Sequence, residues 1–356
     1  MSSLIVEVCE IADVRVHPNA DALELATIKG WQAVIRKGQF KNGDLVIYIP
    51  IDSMVPQTES DRWGVTGYLS KGRVRCARLR SEPSFGLLID PRTEAEHFGA
   101  DESPPFALGD DVAEFYGITK YEPPILISAG DAERPHPLFV AYTDIENLRN
   151  FPDVLQAGEE VIVTEKLHGT NSRVGLIEGE LMAGSKGLRR KRPEEGATSL
   201  YWQPIAIPEV RTCLESLGEF TIDGRFPAKD AQQIVIYGEL FGPKIQNLHY
   251  GVQQGTTGYR VFDILVNGKY LDWDDVRAIA EAYQLDLVPI LYRGPYSIEK
   301  IKELAKGNST FSDHIREGVV VKPVVERLDP KTGRVILKYI NDDYLFSKGI
   351  SDATDV

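Results

Sequence analysis

Short apolar runs separated by turn residues characterise the first third of the chain. Glycine and asparagine occur between these runs, at residues 29–30 and 41–44, and both adopt the backbone angles that tight turns require. The runs predict β-strands at residues 4–8, 23–28, 31–35, 45–50 and 86–89. Several short strands at this spacing predict a small all-β barrel.

From about residue 137 onward, strand patterns alternate with helical ones. Longer apolar runs predict buried strands at residues 161–164, 233–238, 259–266, 318–322 and 334–340. Apolar residues three or four positions apart predict two helices, one through Val276, Ile279, Ala280 and Tyr283 and one through Ile298, Ile301, Leu304 and Ala305. Ser297 is a candidate N-cap for the second helix. Strands with interspersed helices predict an α+β domain.

The length of the chain indicates two domains, because 356 residues exceed what one hydrophobic core usually organises. Between residues 91 and 137 the composition shifts to proline, aspartate, glutamate and glycine, which is typical of irregular connecting structure. We therefore predict an N-terminal domain over residues 1–120, a linker over 121–136 and a C-terminal domain over 137–356.

We expect neither a signal peptide nor a membrane span. Residues 1–10 lack a basic start followed by a long apolar run, and no stretch of about 18 consecutive apolar residues occurs. The three cysteines are far apart and form no CxxC pair, which favours reduced thiols over a zinc site. We expect a cytoplasmic protein, and no feature indicates an obligate protein partner.

A formal net charge of −13 argues against wholesale wrapping of nucleic acid. Two segments are nevertheless basic, residues 71–80 (KGRVRCARLR) and 186–192 (KGLRRKR), and either could dock a phosphate backbone or simply be a solvated surface. In the first segment, strand alternation places Lys71, Arg73 and Arg75 on one face and Arg78 and Arg80 on the other, with a bulge or turn near Cys76 and Ala77.

Candidate chemistry begins in VIVTEKLHGTNSRVGL, residues 161–176, where Lys166 ends a predicted strand. A lysine that attacks phosphorus must first lose its proton, which from a reference pKa of about 10.4 costs roughly 4 to 5 kcal/mol at pH 7 unless the site compensates. Gly169 follows closely and lets another backbone, or the phosphates of a ligand, approach. Alone, this pattern also describes an exposed turn lysine.

Later charged residues at strand ends strengthen the functional interpretation. Glu239 lies in YGELFG, Glu317 and Lys322 at the two ends of EGVVVKP, and Lys338 in RVILKYI. Charges on apolar strands need partners. Together with Lys166, they fit a site for a polyphosphate and a divalent cation, in which carboxylates hold the metal and lysines neutralise the phosphates.

These segments, in this order, resemble the motifs of the covalent nucleotidyltransferases, which include ATP-dependent ligases and capping enzymes. The matching segments are KLHGTN, YGELFG, VFDI (261–264), EGVVVKP and LKYIN (337–341). His168 with Thr170 and Asn171 resembles the RNA ligase branch, and within it the group with an N-terminal OB-type domain that seals nicks having an RNA 3′-OH strand. The resemblance implies a nucleotidyltransferase (adenylation) fold for the C-terminal domain.

The first domain carries a second resemblance. Residues 17–31, 41–50 and 71–90 look like the OB-type RNA-binding modules attached to some tRNA synthetases. Such barrels bind oligonucleotides through cations and aromatic residues. Trp31, Tyr48 and Trp63 could stack on bases or could be core residues.

The family resemblance implies an ATP-dependent RNA ligase that uses Mg²⁺ or Mn²⁺ and acts on RNA or an RNA-containing nicked duplex. Lys166 would attack the α-phosphate of ATP to form lysyl-AMP, AMP would pass to an RNA 5′-phosphate, and the 3′-OH would displace it. By the same resemblance, Glu165 would contact the adenine edge and Phe262 would stack on the adenine ring. Glu239 would hold the ribose hydroxyls and, with Glu317, the metal. The phosphates would be bound by Lys322, Lys338 and Lys186, and the later RNA steps would depend on His168 and Asn171.

Two positions depart from the family pattern. Ile340 stands where related enzymes often carry a second lysine two residues after Lys338. Lys186 stands where an arginine is usual, and arginine and lysine are not equivalent at a bidentate phosphate contact. The phosphate-binding cation of residues 186–192 therefore stays open.

Three alternative functions remain open on the sequence. An ATP-dependent DNA ligase shares the same chemistry, and a capping-type guanylyltransferase is disfavoured because His168 replaces the usual aspartate. A catalytically inactive RNA-binding protein is the alternative outside the enzymes.

Overall fold

The computed structural model describes residues 4–98, 106–121, 131–197, 199–243 and 245–346. These residues form two compact units, one reaching to residue 121 and the other running from residue 131 to 346. Most of the predicted linker, residues 122–130, lies outside the described residues, so the predicted domain limits stay predictions. No helix in the described ranges is long and apolar enough to cross a membrane.

The N-terminal unit consists mainly of short antiparallel strands. They are β1 (Glu7–Glu10), β2 (Asp13–Val16), β3 (Leu23–Ile28), β4 (Trp31–Arg36), β5 (Leu45–Ile49), β6 (Ser53–Met54), β7 (Ala77–Leu79), β8 (Glu82–Ser84), β9 (Leu87–Ile89) and β10 (Thr119–Lys120), with helices α1 (Gln57–Arg62) and α2 (Pro91–Phe98). The two larger sheets have the strand orders β1-β5-β9 and β2-β3-β4. Trp31 and Tyr48 are each 2% exposed and belong to the core.

Two local predictions for this unit are wrong. The first strand begins at Glu7 rather than residue 4, because Val6 bonds instead to Asp111 and Val112. Residues 71–76 form no strand, so Lys71, Arg73 and Arg75 share no strand face. Arg73 is buried: its Nε donates to Asp52 Oδ1 at 2.8 Å and its guanidinium lies 3.8 Å from the ring centroid of Tyr121.

The C-terminal unit is α+β, as predicted. Its strands are β11 (Glu146–Asn147), β12 (Glu160–Lys166), β13 (Thr170–Ile177), β14 (Glu180–Ser185), β15 (Arg189–Arg190), β16 (Gln233–Phe241), β17 (Gly258–Val266), β18 (Lys269–Tyr270), β19 (Ile290–Pro295), β20 (Gly318–Pro323), β21 (Leu328–Asp329), β22 (Gly333–Arg334) and β23 (Leu337–Ile340). Its helices are α3 (Gln203–Ala206), α4 (Pro208–Ser216), α5 (Trp273–Tyr283), α6 (Ile298–Leu304) and α7 (Asp342–Leu345).

Both helices predicted from periodicity are present. α5 buries Trp273, Val276, Ile279 and Ala280. α6 begins after Ser297, whose Oγ accepts a hydrogen bond from the Lys300 backbone N at 3.2 Å. The strand predicted over residues 334–340 is instead divided between β22 and β23, because the Val335 N–H turns away to the Arg327 carbonyl.

Two sheets form the framework of this unit, the first mixed because β11 runs parallel to β23 and the second antiparallel throughout. The first has the order β11-β23-β20-β12-β19 and the second β15-β14-β13-β16-β17-β18. Helices α4 and α5 pack against the second sheet through a large apolar cluster. A smaller cluster joins Tyr237 and Leu265 of the second sheet to Val320 of the first, which defines the space between the sheets.

Candidate active site

Strand register brings the three candidate lysines to one face of the first sheet. Lys166 pairs with Gly318 and Ile162 with Lys322, while Val320 pairs with Lys338 on the neighbouring strand. Residues directly paired across antiparallel strands project to the same side, and so do residues two positions apart. Lys166, Lys322 and Lys338 therefore share the face that carries Val320 toward the second sheet.

Lys166 ends β12 and forms an ion pair with Glu317, the residue before β20. The Lys166 side chain is 20% exposed, whereas that of Glu317 is completely buried. Removing a carboxylate from water is costly unless a cation or hydrogen bonds compensate. The buried carboxylate thus fixes the position of the candidate nucleophile.

His168 is buried beside this pair. Its Nδ1 lies 2.8 Å from the hydroxyl of Tyr344 in α7 and 3.5 Å from a carboxylate oxygen of Glu317. Its backbone N–H donates to the Tyr250 hydroxyl at 2.7 Å. Residues far apart in the chain thus hold the imidazole next to Lys166 and Glu317.

The charges of three candidate carboxylates act on Tyr250. Burial raises the pKa of the Tyr250 phenol, and the charges of Glu317, Glu165 and Glu239 raise that pKa further. The hydrogen bond that the Tyr250 hydroxyl accepts from His168 acts in the opposite direction and lowers this pKa. The sequence did not predict Tyr250 as a site residue, because it lies in a loop with no periodic pattern.

Glu165 is buried and partly satisfied by protein groups. Its Oε2 accepts hydrogen bonds from the backbone N and Oγ1 of Thr310, both at 2.9 Å, and Arg316 Nε lies 3.6 Å away. Its other oxygen, Oε1, is buried and has no hydrogen-bond partner within the described part of the chain. A buried acceptor of this kind has capacity for a donor on a ligand.

Asn171 of β13 and Glu239 of β16 are directly opposite each other in the second sheet. Gly169 precedes them, and a Cβ at this position would lie 2.2 Å from the Leu240 carbonyl oxygen and 3.0 Å from Glu239 Cγ. Glycine is therefore required for the close approach of these strands, as its place after Lys166 predicted.

Lys322 is buried in a network of charges. Its Nζ forms an ion pair with Asp263 and lies 3.0 Å from Glu326 Oε1, and Arg334 Nη2 donates to Asp263 at 2.9 Å. Burial alone would raise the pKa of the Asp263 carboxyl, but Arg334 and Lys322 outweigh it and hold the pKa below its usual value. A phosphate contact by Lys322 stays a prediction, and it would compete with these carboxylates.

The cations of residues 186–192 have different partners. Lys186 is exposed and pairs with Asp144, and Arg189 pairs with Glu133 and Glu180. The Arg190 guanidinium pairs with Asp131 and lies 5.0 Å from the ring centroid of Tyr201. The Tyr201 hydroxyl is 3.2 Å from Thr170 Oγ1. Arg190 is therefore linked through Tyr201 to the KLHGTN segment that contains Lys166.

Phe262 lies between the sheets and is half-buried, with its ring centroid 4.9 Å from that of Tyr142. A half-buried ring retains surface on which a planar base can stack. The predicted adenine contact is compatible with this position.

The candidate carboxylates Glu317 and Glu239 fit a metal ion that binds together with a nucleotide. The described ranges contain no group of three or more histidine, cysteine, aspartate or glutamate residues arranged to hold a metal. Mg²⁺ is commonly bound by one or two protein carboxylates together with substrate phosphates and water. Glu317 and Glu239 are suited to this shared coordination rather than to a closed metal cage.

A model of the RNA ligase family matches residues 159–340, just over half of the chain. The chain belongs to the RNA ligase family. A model of an OB-fold domain matches residues 5–91. Both matches confirm the predicted fold classes and the predicted family, and they place the whole set from Lys166 to Lys338 inside the RNA ligase segment.

Solved structures of an RNA ligase from Naegleria gruberi resemble this RNA ligase over nearly its whole length. A mutant with ATP and Mn has 26% sequence identity and a TM-score of 0.76, covering 96% of this chain and 98% of that chain. The same enzyme with PPi has 26% identity and a TM-score of 0.75, covering 97% and 98%.

A mitochondrial RNA-editing ligase 2 from Trypanosoma brucei brucei is 31% identical over 126 residues. The match covers 34% of this chain and 28% of that protein, so this chain matches less than a third of the length of its curated relative.

Proposed function

We propose that the protein is an ATP-dependent RNA ligase that joins a 3′-OH to a 5′-phosphate, with nicks in duplexes that have an RNA 3′-OH strand as its substrate. The ion pair of Lys166 with the buried Glu317 carries this proposal. Lys166 lies at a strand end on the same sheet face as Lys322 and Lys338, and Glu165 directly precedes it in β12. Its location is proposed to be the cytoplasm, as the sequence indicates.

The first step is the transfer of AMP to Lys166. The neutral amine attacks the α-phosphorus of ATP, an N–P bond forms, and the P–O bond to pyrophosphate breaks as the nitrogen gives up one of its two protons to solvent and keeps the other. A bound divalent cation would neutralise phosphate charge and compete with Lys166 for the Glu317 carboxylate. Because Glu317 stabilises the protonated amine, nucleotide binding must weaken this pair before the attack.

The later steps move AMP to RNA and then release it. The RNA 5′-phosphate attacks lysyl-AMP to form a phosphoanhydride, and Lys166 leaves. The 3′-OH then attacks the RNA phosphorus, a phosphodiester forms, and AMP leaves. These displacements depend mainly on positioning and charge neutralisation. His168, whose ring is held by Tyr344, would act on RNA in these steps.

The structures of the Naegleria enzyme support the first step. They contain ATP with Mn, AMP with Mn, or PPi. ATP is the substrate of adenylate transfer, and AMP and pyrophosphate are the two parts into which the reaction divides it.

Labelling with ATP carrying a radioactive α-phosphate tests the nucleophile. The wild type should yield a labelled band that survives denaturation, and Lys166→Ala should not. Lys269→Ala, which removes an exposed lysine from the same unit, is the matched control and should label normally. A wild type that takes up no label from ATP would contradict the proposal, and labelling by GTP instead would indicate a capping enzyme.

Nicked duplexes that differ only at the 3′-OH nucleotide test the substrate. The RNA ligase should seal nicks with a ribose at this end much faster than nicks with a deoxyribose. Equal rates would contradict the proposed preference for RNA at this end but not the proposed ligase activity. RNA binding without adenylation or sealing would identify an inactive binding protein.

A further inference from the structure

A closed loop over residues 308–315 connects α6 to β20. Asn308 and Ile315 pair as an isolated antiparallel bridge. Inside this bridge, the Ser309 N–H donates a hydrogen bond to the His314 carbonyl at 2.9 Å. The backbone thus gives this loop, called the 308–315 loop below, a defined shape.

Thr310 of the 308–315 loop holds the carboxylate of Glu165. The backbone N–H and the hydroxyl of Thr310 both donate to Glu165 Oε2 at 2.9 Å. Glu165 is 2% exposed, and hydrogen bonds to a buried charge are stronger than those between neutral groups.

Glu165 directly precedes Lys166 at the end of β12. Successive side chains of a strand point to opposite faces, so Thr310 holds the strand end from the face opposite the Lys166 amine. Because a strand end that is held on one face cannot twist freely, this contact helps to set the direction of the amine.

Phe311, the next residue of the loop, supports the chain after Lys166. Its ring stacks on that of Tyr250, with the centroids 4.9 Å apart and an angle of 17° between the planes. His314 packs edge-on against the same ring, with the centroids 4.5 Å apart. The Tyr250 hydroxyl accepts a hydrogen bond from the His168 backbone N–H at 2.7 Å. Phe311 therefore fixes the tyrosine that holds His168.

We propose that Thr310 and Phe311 are positioning residues that serve different steps of ligation. Thr310 acts through Glu165 on the attack of Lys166 on ATP, which occurs only in the first step. Phe311 acts through Tyr250 on His168, which serves the later RNA steps. Displacing a reacting group by about 1 Å can slow a reaction about 100-fold, so contacts of this kind affect rates. The proposal rests on the function proposed above and assigns two further residues to it.

Thr310→Val tests the first contact, because valine keeps the shape of threonine and lacks its hydroxyl. The kcat/KM for adenylation with labelled ATP should fall about tenfold or more, the scale of losing a hydrogen bond to a charged group. Single-turnover sealing of RNA that already carries a 5′-adenylate should stay within about twofold of the wild-type rate. Thr310→Ser, which keeps the hydroxyl, should restore adenylation.

Phe311→Leu tests the second contact, because leucine is apolar and cannot stack. Sealing of the adenylated RNA should slow about fivefold, the scale of one aromatic pair, while adenylation stays within about twofold of the wild type. Phe311→Tyr keeps the ring and should seal at nearly the wild-type rate. Asp313→Asn changes an exposed carboxylate of the same loop and is the matched control, which should leave both reactions unchanged.

Equal slowing of adenylation and sealing in Thr310→Val and in Phe311→Leu would overturn the proposal, because a loop with only a structural role acts on the whole site. Wild-type rates in both variants would overturn it as well. Thermal unfolding of each variant identifies loss of fold, and Thr310→Ala or Phe311→Met then replaces the unfolded variant. Loss of fold in both members of a pair would show a structural role and reject the proposal.

Failure of the ligase function itself gives a different result. A wild type that takes up no label from ATP would reject that function. The ratio of adenylation to sealing in the variants instead judges the 308–315 loop within an active ligase.

Discussion

Lys166 and Glu317 form an ion pair although 151 positions separate them in the chain. The pair arises because β12 ends at Lys166 opposite Gly318, the first residue of β20. Backbone hydrogen bonds between these strands therefore determine where the amine and the carboxylate lie. The candidate nucleophile depends on a contact that only the complete sheet provides.

Replacing Glu317 by glutamine should reduce adenylation of Lys166 by about 100-fold, the scale of removing one strong electrostatic interaction from an active site. The amide keeps the shape of the carboxylate but carries no negative charge, so it holds a cation much more weakly. Quantitative labelling with ATP at several Mn²⁺ concentrations measures the effect. Glu299→Gln, on the exposed face of α6, is the control and should behave as the wild type. Normal labelling of Glu317→Gln would exclude a role for this carboxylate.

Gly169→Ala should reduce adenylation strongly and destabilise the protein by about 1 to 3 kcal/mol, the usual cost of forced overpacking. The added methyl would collide with the Leu240 carbonyl and displace Glu239. Gly187→Ala provides the comparison, because a Cβ there meets no atom within 4 Å. Denaturant unfolding and ATP labelling of both variants test the expectation, which fails if they behave alike.

Tyr344→Phe should slow RNA sealing about tenfold while leaving adenylation within about twofold, as expected when one hydrogen bond of about 1 kcal/mol or slightly more is removed. The hydroxyl that it removes lies 2.8 Å from His168 Nδ1. Single-turnover sealing of RNA that already carries a 5′-adenylate isolates the last step. Equal losses in both reactions would show that Tyr344 supports the site as a whole.

The lowered pKa of Asp263 predicts a specific pH dependence of stability. Its ionised form contributes fully above the unfolded pKa of about 3.9, and that contribution disappears as the pH falls through the lower pKa of the folded state. Denaturant unfolding from pH 7 to 3 should therefore show a steeper loss in the wild type than in Asp263→Asn. Asp153→Asn, an exposed carboxylate, should retain the wild-type slope.

Lys322→Met and Lys338→Met should separate a structural lysine from one that meets the nucleotide. Lys322→Met leaves Asp263 and Glu326 without one of their cations and should lower the free energy of unfolding by about 3 kcal/mol or more. Lys338 is half-buried on the same face, and its replacement should chiefly raise KM for ATP. A stable Lys322→Met variant with a raised KM would instead assign phosphate contact to Lys322.

Local patterns in the sequence predicted the elements that depend on local forces. β3 lies at the predicted residues, and α5 and α6 follow the apolar spacing and the Ser297 cap. The ordered motifs predicted the set of residues that β12, β16, β20 and β23 bring around the site. These motifs are short and adjacent to strands, so their residue types alone identify them in the sequence.

Long-range contacts explain what the sequence did not reveal. Arg73 resembled a surface cation, but Asp52 and Tyr121 bury it. Tyr250 and Tyr344 contact His168 from a loop and from a four-residue helix, where no periodicity marks a functional residue. Asp263 lay within a recognised motif, yet its partners Lys322 and Arg334 are 59 and 71 positions away.

The contact of Tyr344 with His168 has a consequence for synthesis of the protein. The ribosome must translate more than 170 further codons after that of His168 before its hydroxyl partner exists, since the two residues are 176 positions apart. A nascent chain that stalls earlier would display the KLHGTN loop without the tyrosine that orients its imidazole. His168 can therefore be oriented by Tyr344 only after translation has passed residue 344.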